Sequence, residues 1–468
     1  MKMKNKWLIV LPLLFCISCT KKSQTNILIN QINTKEISLI NKNLIIEKGG
    51  TYNLKGEIKN GTLIINTDEE VKLILNNLKI QSQNNAAIVS LKDNNLTLEL
   101  FKDSQNILID NYTREKKNKN YQATIYTKGQ INFIGEGNLK VIGNYHNAIE
   151  SENDINMIDG YYEIFSKQDG IVTSKDFIIK NSSLIITTTN FDKELPINYL
   201  FGGYDKEQSG SKKGLKASGN ILLEKITASI STVDDAINCH KQLTILNSNI
   251  NVKTYDDAFH ADELIVIDKG KYQIENSYEG IESLDIIIEN GDFNINSIDD
   301  AININTKYDN IDFSNINEEE FNFGKLIIND GNFTITTTGD GIDSNGEIIL
   351  NKGNFNINCA YAPLESKTKM TIDNIKLIAF SKEPIETFNR YQSNTNIIML
   401  NFQKIDNDLN IKINGNNTNL EYSVPEYSQG ILIIDDEYKQ ENNYTIFKND
   451  KKITNFKIKE VLTTLTLN

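Results

Sequence analysis

The sequence has few of the residues that rigidify or cross-link a fold. Its 468 residues include five prolines, four cysteines and one tryptophan. Two of the cysteines and Trp7 lie in an apolar N-terminal segment, so Cys239 and Cys359 are the only cysteines of the remaining chain. Two widely separated cysteines do not form a disulfide framework. We predict that both are buried core thiols, and that the chain after this segment has no tryptophan platform for a flat ligand.

Positive charge is also scarce. There are 49 Lys and Arg against 62 Asp and Glu, which gives a formal net charge of −13. Such a surface disfavours nucleic acid and suits cations, or acidic polymers bridged by cations. Only three histidines occur and no Cys/His cluster accompanies them. We therefore predict that His240 and His260 are ladder or surface residues and not zinc ligands.

The first 18 residues have the features of a secretion signal. Three lysines precede an apolar run at 7–17 that is too short to span a bilayer, and Cys19 follows. The sequence Cys16-Ile-Ser-Cys19 resembles a bacterial lipobox, with Cys16 where Leu is usual. We predict a lipidated Cys19 and a secreted, membrane-anchored lipoprotein that is extracellular or at the cell surface; the alternative is plain signal cleavage nearby. Residues 19–40 are polar and predict a tether.

A repeated motif of acidic, small and large apolar residues extends over most of the chain. Four copies within 231–303 have their apolar residues, called anchors here, spaced 22, 22 and 21 residues apart. Repeats of this length indicate a solenoid or another array. The anchors are Ile88, Ile125, Ile149, Ile171, Leu215, Ile237, Phe259, Ile281, Ile302, Ile342 and Leu364.

Each repeat contains three short alternating runs that are typical of β-strands. In the unit beginning at Gly331 they are NFTIT, IDS and EIILN, separated by turns. Three strands in about 22 residues predict a right-handed parallel β-helix over 41–389, since the leucine-rich-repeat signature is missing. Residues 390–468 lose the repeat and predict a small β module that caps the open end. Longer steps predict excursions from the helix at 113–120, 190–212 and 306–323.

In register, the repeats stack their acidic residues in columns. One column contains Asp169, Asp235, Asp257, Glu279, Asp300 and Asp340, and its neighbour contains Asp234, Asp256 and Asp299. Outward positions just after the anchors carry Asn238, His260, Glu282, Asn303 and Asp343. At the spacing of stacked strands, about 4.8 Å, neighbouring carboxylates repel by about 3–4 kcal/mol at an effective dielectric near 20.

Cations would relieve this repulsion. Between Val233 and Asn303 neither column contains Lys or Arg, and Lys241 and Lys253 are the nearest in sequence. Carboxylate oxygens in adjacent turns favour Ca²⁺. The alternative is that these acids are solvated turn residues that bond the backbone. We predict a calcium set of Asp234, Asp235, Asp256, Asp257, Glu279, Asp299, Asp300, Asp340 and Asp343.

The series of turns resembles a family of bacterial secreted carbohydrate-binding domain-containing proteins with a pectate-lyase-like parallel β-helix. The matching segments are 168–171, 234–237, 256–259, 278–282, 299–302 and 339–343, with 423–425, 430–433 and 443–446 in the C-terminal part. The resemblance implies surface calcium sites and binding of acidic polysaccharide such as polygalacturonate, and also of cellulose. The early coils near Ile88 and Ile125 lack the acid, and Lys213 replaces it in the Leu215 coil.

Three functions remain open from the residues. The first is a non-catalytic, calcium-dependent polysaccharide-binding protein, monomeric, with Glu282, His260, Asp262 and Tyr255 as ligand-binding residues. Tyr204 and Tyr361 are further candidates for stacking on sugar rings. The second is a calcium-dependent lyase, which needs a base beside the metal; the chain has only Arg114 and Arg390, both outside the acidic coils. The third is a structural surface adhesin. We expect binding rather than catalysis.

Overall fold

The computed structural model describes residues 25–29, 36–114, 118, 120–188, 210–306, 323–388, 390–403, 409–415 and 418–467. Within these ranges the chain is all-β, without an α-helix. No helix in the described residues is long and apolar enough to cross a membrane. The predicted signal peptide, Cys19, Tyr204 and nearly all of the excursions at 190–212 and 306–323 lie outside the described residues.

The repeats form a parallel β-solenoid of about 14 turns with about 22 residues per coil, as predicted. Each coil contributes a strand to each of three parallel sheets. Five long strands run around a corner and belong to two or three sheets: Gly50–Lys59, Val71–Gln81, Gln242–Lys253, Phe259–Ser277 and Ile281–Ser297.

The remaining solenoid strands belong to one sheet each. Sheet 1 contains Thr25–Ile29, Lys42–Ile46, Leu63–Ile65, Ile88–Ser90, Ala123–Thr127, Asn147–Ser151, Ile171–Thr173, Leu215–Ala217, Ile237–Cys239, Ile302–Ile304, Ile342–Ser344 and Glu365–Ser366. Sheet 2 contains Leu96–Leu100, Ile131–Ile134, Ile155–Ile158, Phe177–Lys180, Ile221–Glu224, Lys325–Ile328, Glu347–Leu350, Met370–Ile372 and Tyr391–Ser393. Sheet 3 contains Glu36–Ile40, Gln105–Ile109, Asn138–Gly143, Tyr161–Ser166, Ser183–Thr188, Thr227–Ser231, Asn332–Thr337, Gly353–Cys359 and Ile375–Ser381.

The predicted anchors lie in one row of sheet 1. Ile237 pairs with Phe259, Phe259 with Ile281, and Ile281 with Ile302, each in parallel register. All of these side chains are fully buried. A coil cannot bury its own apolar face, so this row of inward anchors, repeated in every coil, makes the continuous core that holds the coils together. Cys239 lies in the same core, and both cysteines are free and buried, as predicted.

Aromatic side chains on sheet 3 stack from coil to coil inside the solenoid. The ring centroids of Tyr272, Phe293, Phe333 and Phe355 follow one another at 4.7, 4.8 and 4.7 Å. These separations match the spacing of adjacent β-strands. They show that successive coils stack without tilt, which keeps equivalent residues of different coils directly above one another.

The corner between sheets 2 and 3 requires a left-handed backbone conformation in several coils. Asn181 and Asn247 adopt positive φ angles of 50° and 48° there, and the same corner is taken by Asp159 and Lys269 in other coils. Asn and Asp tolerate this left-handed conformation better than most residues. A glycine or serine commonly follows, as at Gly160, before the chain enters sheet 3.

The C-terminal residues cover the end of the solenoid. Gly430–Ile434 inserts antiparallel between Ile375–Ser381 and Ile397–Phe402, and Leu462–Leu467 pairs with the latter strand. A second antiparallel sheet contains Leu409–Asn414, Asn419–Val424, Asn443–Lys448 and Lys451–Lys457. This module has its own apolar core. It protects the last strand of sheet 3 from pairing with another chain.

Both ends of the solenoid differ slightly from the predicted boundaries. Thr25–Ile29 and Glu36–Ile40, placed in the tether from their polar surroundings, pair in parallel with Lys42–Ile46 and Gly50–Lys59. At the other end, Tyr391–Ser393 still pairs with Met370–Ile372 in sheet 2. The parallel ladder therefore begins before residue 41 and ends after residue 389.

Candidate metal site in the acidic turns

The predicted acidic column lies in the turns that enter sheet 1, two residues before each anchor. Backbone hydrogen bonds hold these turns in register: Ala236 N donates to Asp257 O at 2.9 Å, and Ala258 N donates to Glu279 O at 3.1 Å. Asp235, Asp257 and Glu279 are at most 9% exposed. The acids are therefore stacked and largely removed from water, where like charges interact strongly.

At its N-terminal side the column contains a built-in cation. Lys213 takes the position of the acid in the Leu215 coil, and its Nζ lies 2.8 Å from Asp234 Oδ1 and also contacts the Asp235 carboxylate. The lysine side chain is 8% exposed and the two acids at most 1%. Lys213, which lies outside the stretch 233–303, therefore supplies a cation to this end of the column. Asp256 completes a cluster with Asp234 and Asp235, with oxygens within 4.8 Å of one another.

His260 is the second internal cation of the column. Its Nδ1 lies 2.7 Å from Glu282 Oε2 and 3.1 Å from Asp257 Oδ2, and its Nε2 lies 3.4 Å from Asp262. Burial by itself would lower the pKa of His260, but hydrogen bonds to these three acids hold that pKa well above its usual range. A protonated imidazole therefore neutralises part of the charge of Asp257 and Glu282. His260 lies in the ladder of stacked residues, as predicted, and these contacts give it an electrostatic role as well.

Glu279 has no such partner on one of its oxygens. Its Oε1 accepts a hydrogen bond from Asn303 Nδ2 at 2.9 Å, but its Oε2 is buried without a hydrogen-bond partner, and so is Asn303 Oδ1. Oxygens of Asp257, Glu279 and Glu282 lie within 4.8 Å of one another. Burial, then the charges of Glu282 and Asp257, raise the pKa of Glu279. Unsatisfied buried oxygens of this kind are rare in folded proteins.

A further cluster lies near the C-terminal end of sheet 1. Asp340, Asp343 and Glu365 bring carboxylate oxygens within 4.8 Å of one another, and Asp343 Oδ1 is buried without a partner. Burial raises the pKa of Asp340 to about 6 and that of the neighbouring Asp300 to about 7. Glu365 was missed by sequence reasoning. Its register partner Asp343 could have identified it, because the outward column continues one coil further.

The other predicted site residues lie around these clusters. Asp299 is half-buried, and the hydroxyl of Tyr278 hydrogen-bonds to it. Asp262 is exposed and reaches the column only through His260, and Tyr255 is half-buried in the turn beside Asp256. Asn238, predicted to face outward, is only 6% exposed, because its amide donates to Asp235 Oδ2 at 2.8 Å.

Two comparisons with known proteins match sequences described as carbohydrate-binding domain-containing proteins. The sequence model of a family described as carbohydrate-binding domain-containing protein matches residues 40–307 and, in a second overlapping match, residues 250–423. A curated protein of that description from Acetivibrio thermocellus is 28% identical over 137 residues, which cover 28% of this chain and 48% of that protein. The chain thus spans about half the length of this relative.

One solved structure is also similar in part. It is a polysaccharide lyase-like protein from C. thermocellum, solved as a gadolinium derivative, and it is 21% identical in sequence. The match covers 52% of this chain and 96% of the other, with a TM-score of 0.43.

Proposed function

Since the chain belongs to the family of carbohydrate-binding domain-containing proteins, we propose that it binds acidic polysaccharide through calcium ions held in its acidic turns, without cleaving the polymer. The acids would bind the metal, and the metal would bridge to sugar carboxylates. Polygalacturonate is the expected type of polymer, and cellulose is the second polymer that the proposal includes.

The buried, unpartnered oxygen of Glu279 carries the calcium proposal. A carboxylate that is 9% exposed and lacks a hydrogen bond on one oxygen loses free energy unless a proton or a metal compensates. Asn303 Oδ1 beside it is equally unpartnered. Calcium accepts carboxylate and amide oxygens in flexible geometry and takes six to eight of them. Water and sugar oxygens would complete the coordination.

The distribution of internal cations indicates which turns need a metal. Lys213 offsets one of the two negative charges of Asp234 and Asp235, and His260 offsets part of the charge of Asp257 and Glu282. Two places combine acidic side chains with a buried oxygen that has no hydrogen-bond partner among the described residues. One is Glu279 with Asn303, and the other is the cluster of Asp340, Asp343 and Glu365, which has Lys367 only at its edge. We therefore place calcium at these two sites.

Calorimetric titration with Ca²⁺ tests the metal, and affinity electrophoresis in polygalacturonate with and without chelator tests the polymer. Glu279→Gln keeps the size of the side chain and removes its charge, so it should abolish one calcium-binding event. The matched control is Glu289→Gln, an exposed glutamate on sheet 2 that contacts only Asn329 among the hydrogen bonds described. Polygalacturonate binding that is unchanged in chelator would refute the calcium bridge.

A lyase remains the second candidate, because Arg390 lines the same cleft as Glu365, one of the acids of the cluster of Asp340, Asp343 and Glu365. The other arginine, Arg114, is fully buried in an ion pair with Asp110 and cannot reach a polymer. Incubation of the protein with polygalacturonate and Ca²⁺ separates the two functions. Release of unsaturated, ultraviolet-absorbing products would replace the binding proposal with catalysis.

We also propose that the mature protein is a monomer anchored to the cell surface by a lipid on Cys19. Cys19→Ser should move the protein from the membrane fraction to the soluble fraction without changing its affinity for polysaccharide. Membrane association that survives this substitution would refute the anchor.

A further inference from the structure

A preformed cleft of about 580 Å³ lies at the C-terminal end of sheet 1. This volume is within the range usual for ligand pockets. Six of the lining residues matter for its chemistry: Tyr361, Glu365, Lys367, Glu383, Phe388 and Arg390. The acidic-turn proposal uses only Glu365 from this set.

The cleft exists because the solenoid loses its next strand. Glu365–Ser366 pairs with Ile342–Ser344 on one side, and one coil later the residues 383–388 are irregular, with Pro384 unable to donate to a ladder. The Asn401 side-chain amide fixes this segment: it donates to Ile385 O and accepts from Ile385 N, both at 2.9 Å. The cleft lies between this segment and the strand Glu365–Ser366.

The floor of the cleft adjoins the cluster of Asp340, Asp343 and Glu365. Ala362 N donates to Asp340 Oδ1 at 2.6 Å, so the turn that carries Tyr361 is fixed directly to an acid of the cluster. The side chain of Tyr361 is 54% exposed and faces the cleft. Lys367 contacts the Glu365 carboxylate while remaining 42% exposed. An open aromatic ring and an ammonium group thus flank one candidate metal site.

We propose that this cleft is a polysaccharide subsite, in which Tyr361 stacks on a uronate ring and Lys367 binds that sugar's carboxylate. The subsite rests on the proposed function for its ligand and for calcium at the neighbouring cluster. Calcium and Lys367 compete for Glu365, so metal binding releases the ammonium toward the cleft. A tyrosine suits the role because its ring offers an apolar face and its hydroxyl a polar edge. Calcium therefore binds first and prepares the cleft for the sugar.

Isothermal titration of the full mature protein with oligogalacturonate in saturating Ca²⁺ tests the subsite. Tyr361→Ala should weaken binding about tenfold, whereas Tyr361→Phe should retain most of the affinity because the ring is kept. Tyr427→Ala, at a 60% exposed tyrosine that does not line the cleft, is the control. Calcium uptake measured in parallel should be equal in all of these variants.

Lys367→Met should weaken binding of oligogalacturonate and leave binding of its methyl ester unchanged. The control is Lys352→Met, an exposed lysine paired with Asp330 on another face. Wild-type affinity in Tyr361→Ala and Lys367→Met would overturn the subsite, even if chelator still abolishes binding. If chelator has no effect on the wild type but Tyr361→Ala still weakens binding, the stacking role of Tyr361 stands, whereas the calcium proposal and the calcium-dependent release of Lys367 both fail.

Discussion

Replacing Lys213 with methionine tests how strongly repulsion between the stacked carboxylates destabilises the fold. The substitution keeps an unbranched side chain of similar length in a position that is 8% exposed, and removes the ammonium that contacts Asp234 and Asp235. Two adjacent carboxylates that are at most 1% exposed then lose the ammonium that contacts both of them. Removing one partner of a buried ion pair costs about 3–5 kcal/mol. We expect a loss of this size in the free energy of unfolding in the presence of chelator.

Calcium should reverse this loss in the variant. Asp234, Asp235 and Asp256 already hold oxygens within 4.8 Å of one another, so removal of the lysine leaves a cluster suited to a hard cation. A ligand that binds only the folded state stabilises it by mass action. The variant should therefore bind one calcium ion more than the wild type, and its melting temperature should rise more steeply with calcium concentration.

Thermal melts in chelator and in calcium, combined with calorimetric stoichiometry, are the assay. Lys216→Met is the control, because Lys216 lies 3.6 Å from Asp169, is 31% exposed and should contribute under about 1 kcal/mol. If Lys213→Met melts like the wild type in chelator and binds no additional calcium, then Lys213 does not neutralise the pair. The reasoning that separates lysine-neutralised turns from metal-binding turns would then be wrong.

Three further predictions concern the solenoid. Burial raises the pKa of Asp300 to about 7 and of Asp340 to about 6, so between pH 3.8 and these values the folded protein binds more protons than the unfolded chain. The stability that these protonated acids contribute in chelator should therefore be lost as pH rises from 3.8 to about 7; a melting temperature independent of pH would contradict this. Phe333→Ala interrupts the aromatic stack and should lower the free energy of unfolding, measured with denaturant, by about 3–5 kcal/mol. A variant as stable as the wild type would contradict this. Asn247→Ala, at a φ of 48°, should destabilise by about 1 kcal/mol, and Asn247→Gly should not; equal effects would exclude backbone strain as the cause.

The sequence was sufficient to predict the solenoid because the stacking of coils imposes a periodic constraint on the sequence. Parallel coils of equal length place residues about 22 apart on top of one another, so the spacing of Ile237, Phe259 and Ile281 predicted their pairing in sheet 1. No such constraint acts on the C-terminal module. Its strand Gly430–Ile434 pairs with segments about 35 and 55 residues earlier in the chain, in antiparallel register, and no repeat marks those partners.

The site was predictable to a lesser degree, because it depends on side-chain conformations within a known register. The sequence placed Lys213 in the acidic column, where it was interpreted as the absence of a ligand. Only the structure shows that its ammonium extends to the next coil, to Asp234 and Asp235. The sequence could not predict the unpartnered oxygens of Glu279 and Asn303 either, because whether an oxygen has a hydrogen-bond partner depends on the position of each atom.

These side-chain contacts change the number of ions that the column should bind. The negative charge of stacked carboxylates has to be offset in every coil. In the turn of Asp235 a lysine offsets part of that charge, and in the turn of Asp257 a histidine does so. Buried oxygens without a hydrogen-bond partner lie at Glu279 and at the cluster of Asp340, Asp343 and Glu365. If every acidic turn bound a metal, the calcium count would follow the number of turns. The two internal cations and the two places with unpartnered oxygens instead predict about two ions. The calcium stoichiometry therefore separates a column that binds calcium in every acidic turn from one that lysine and histidine neutralise in part.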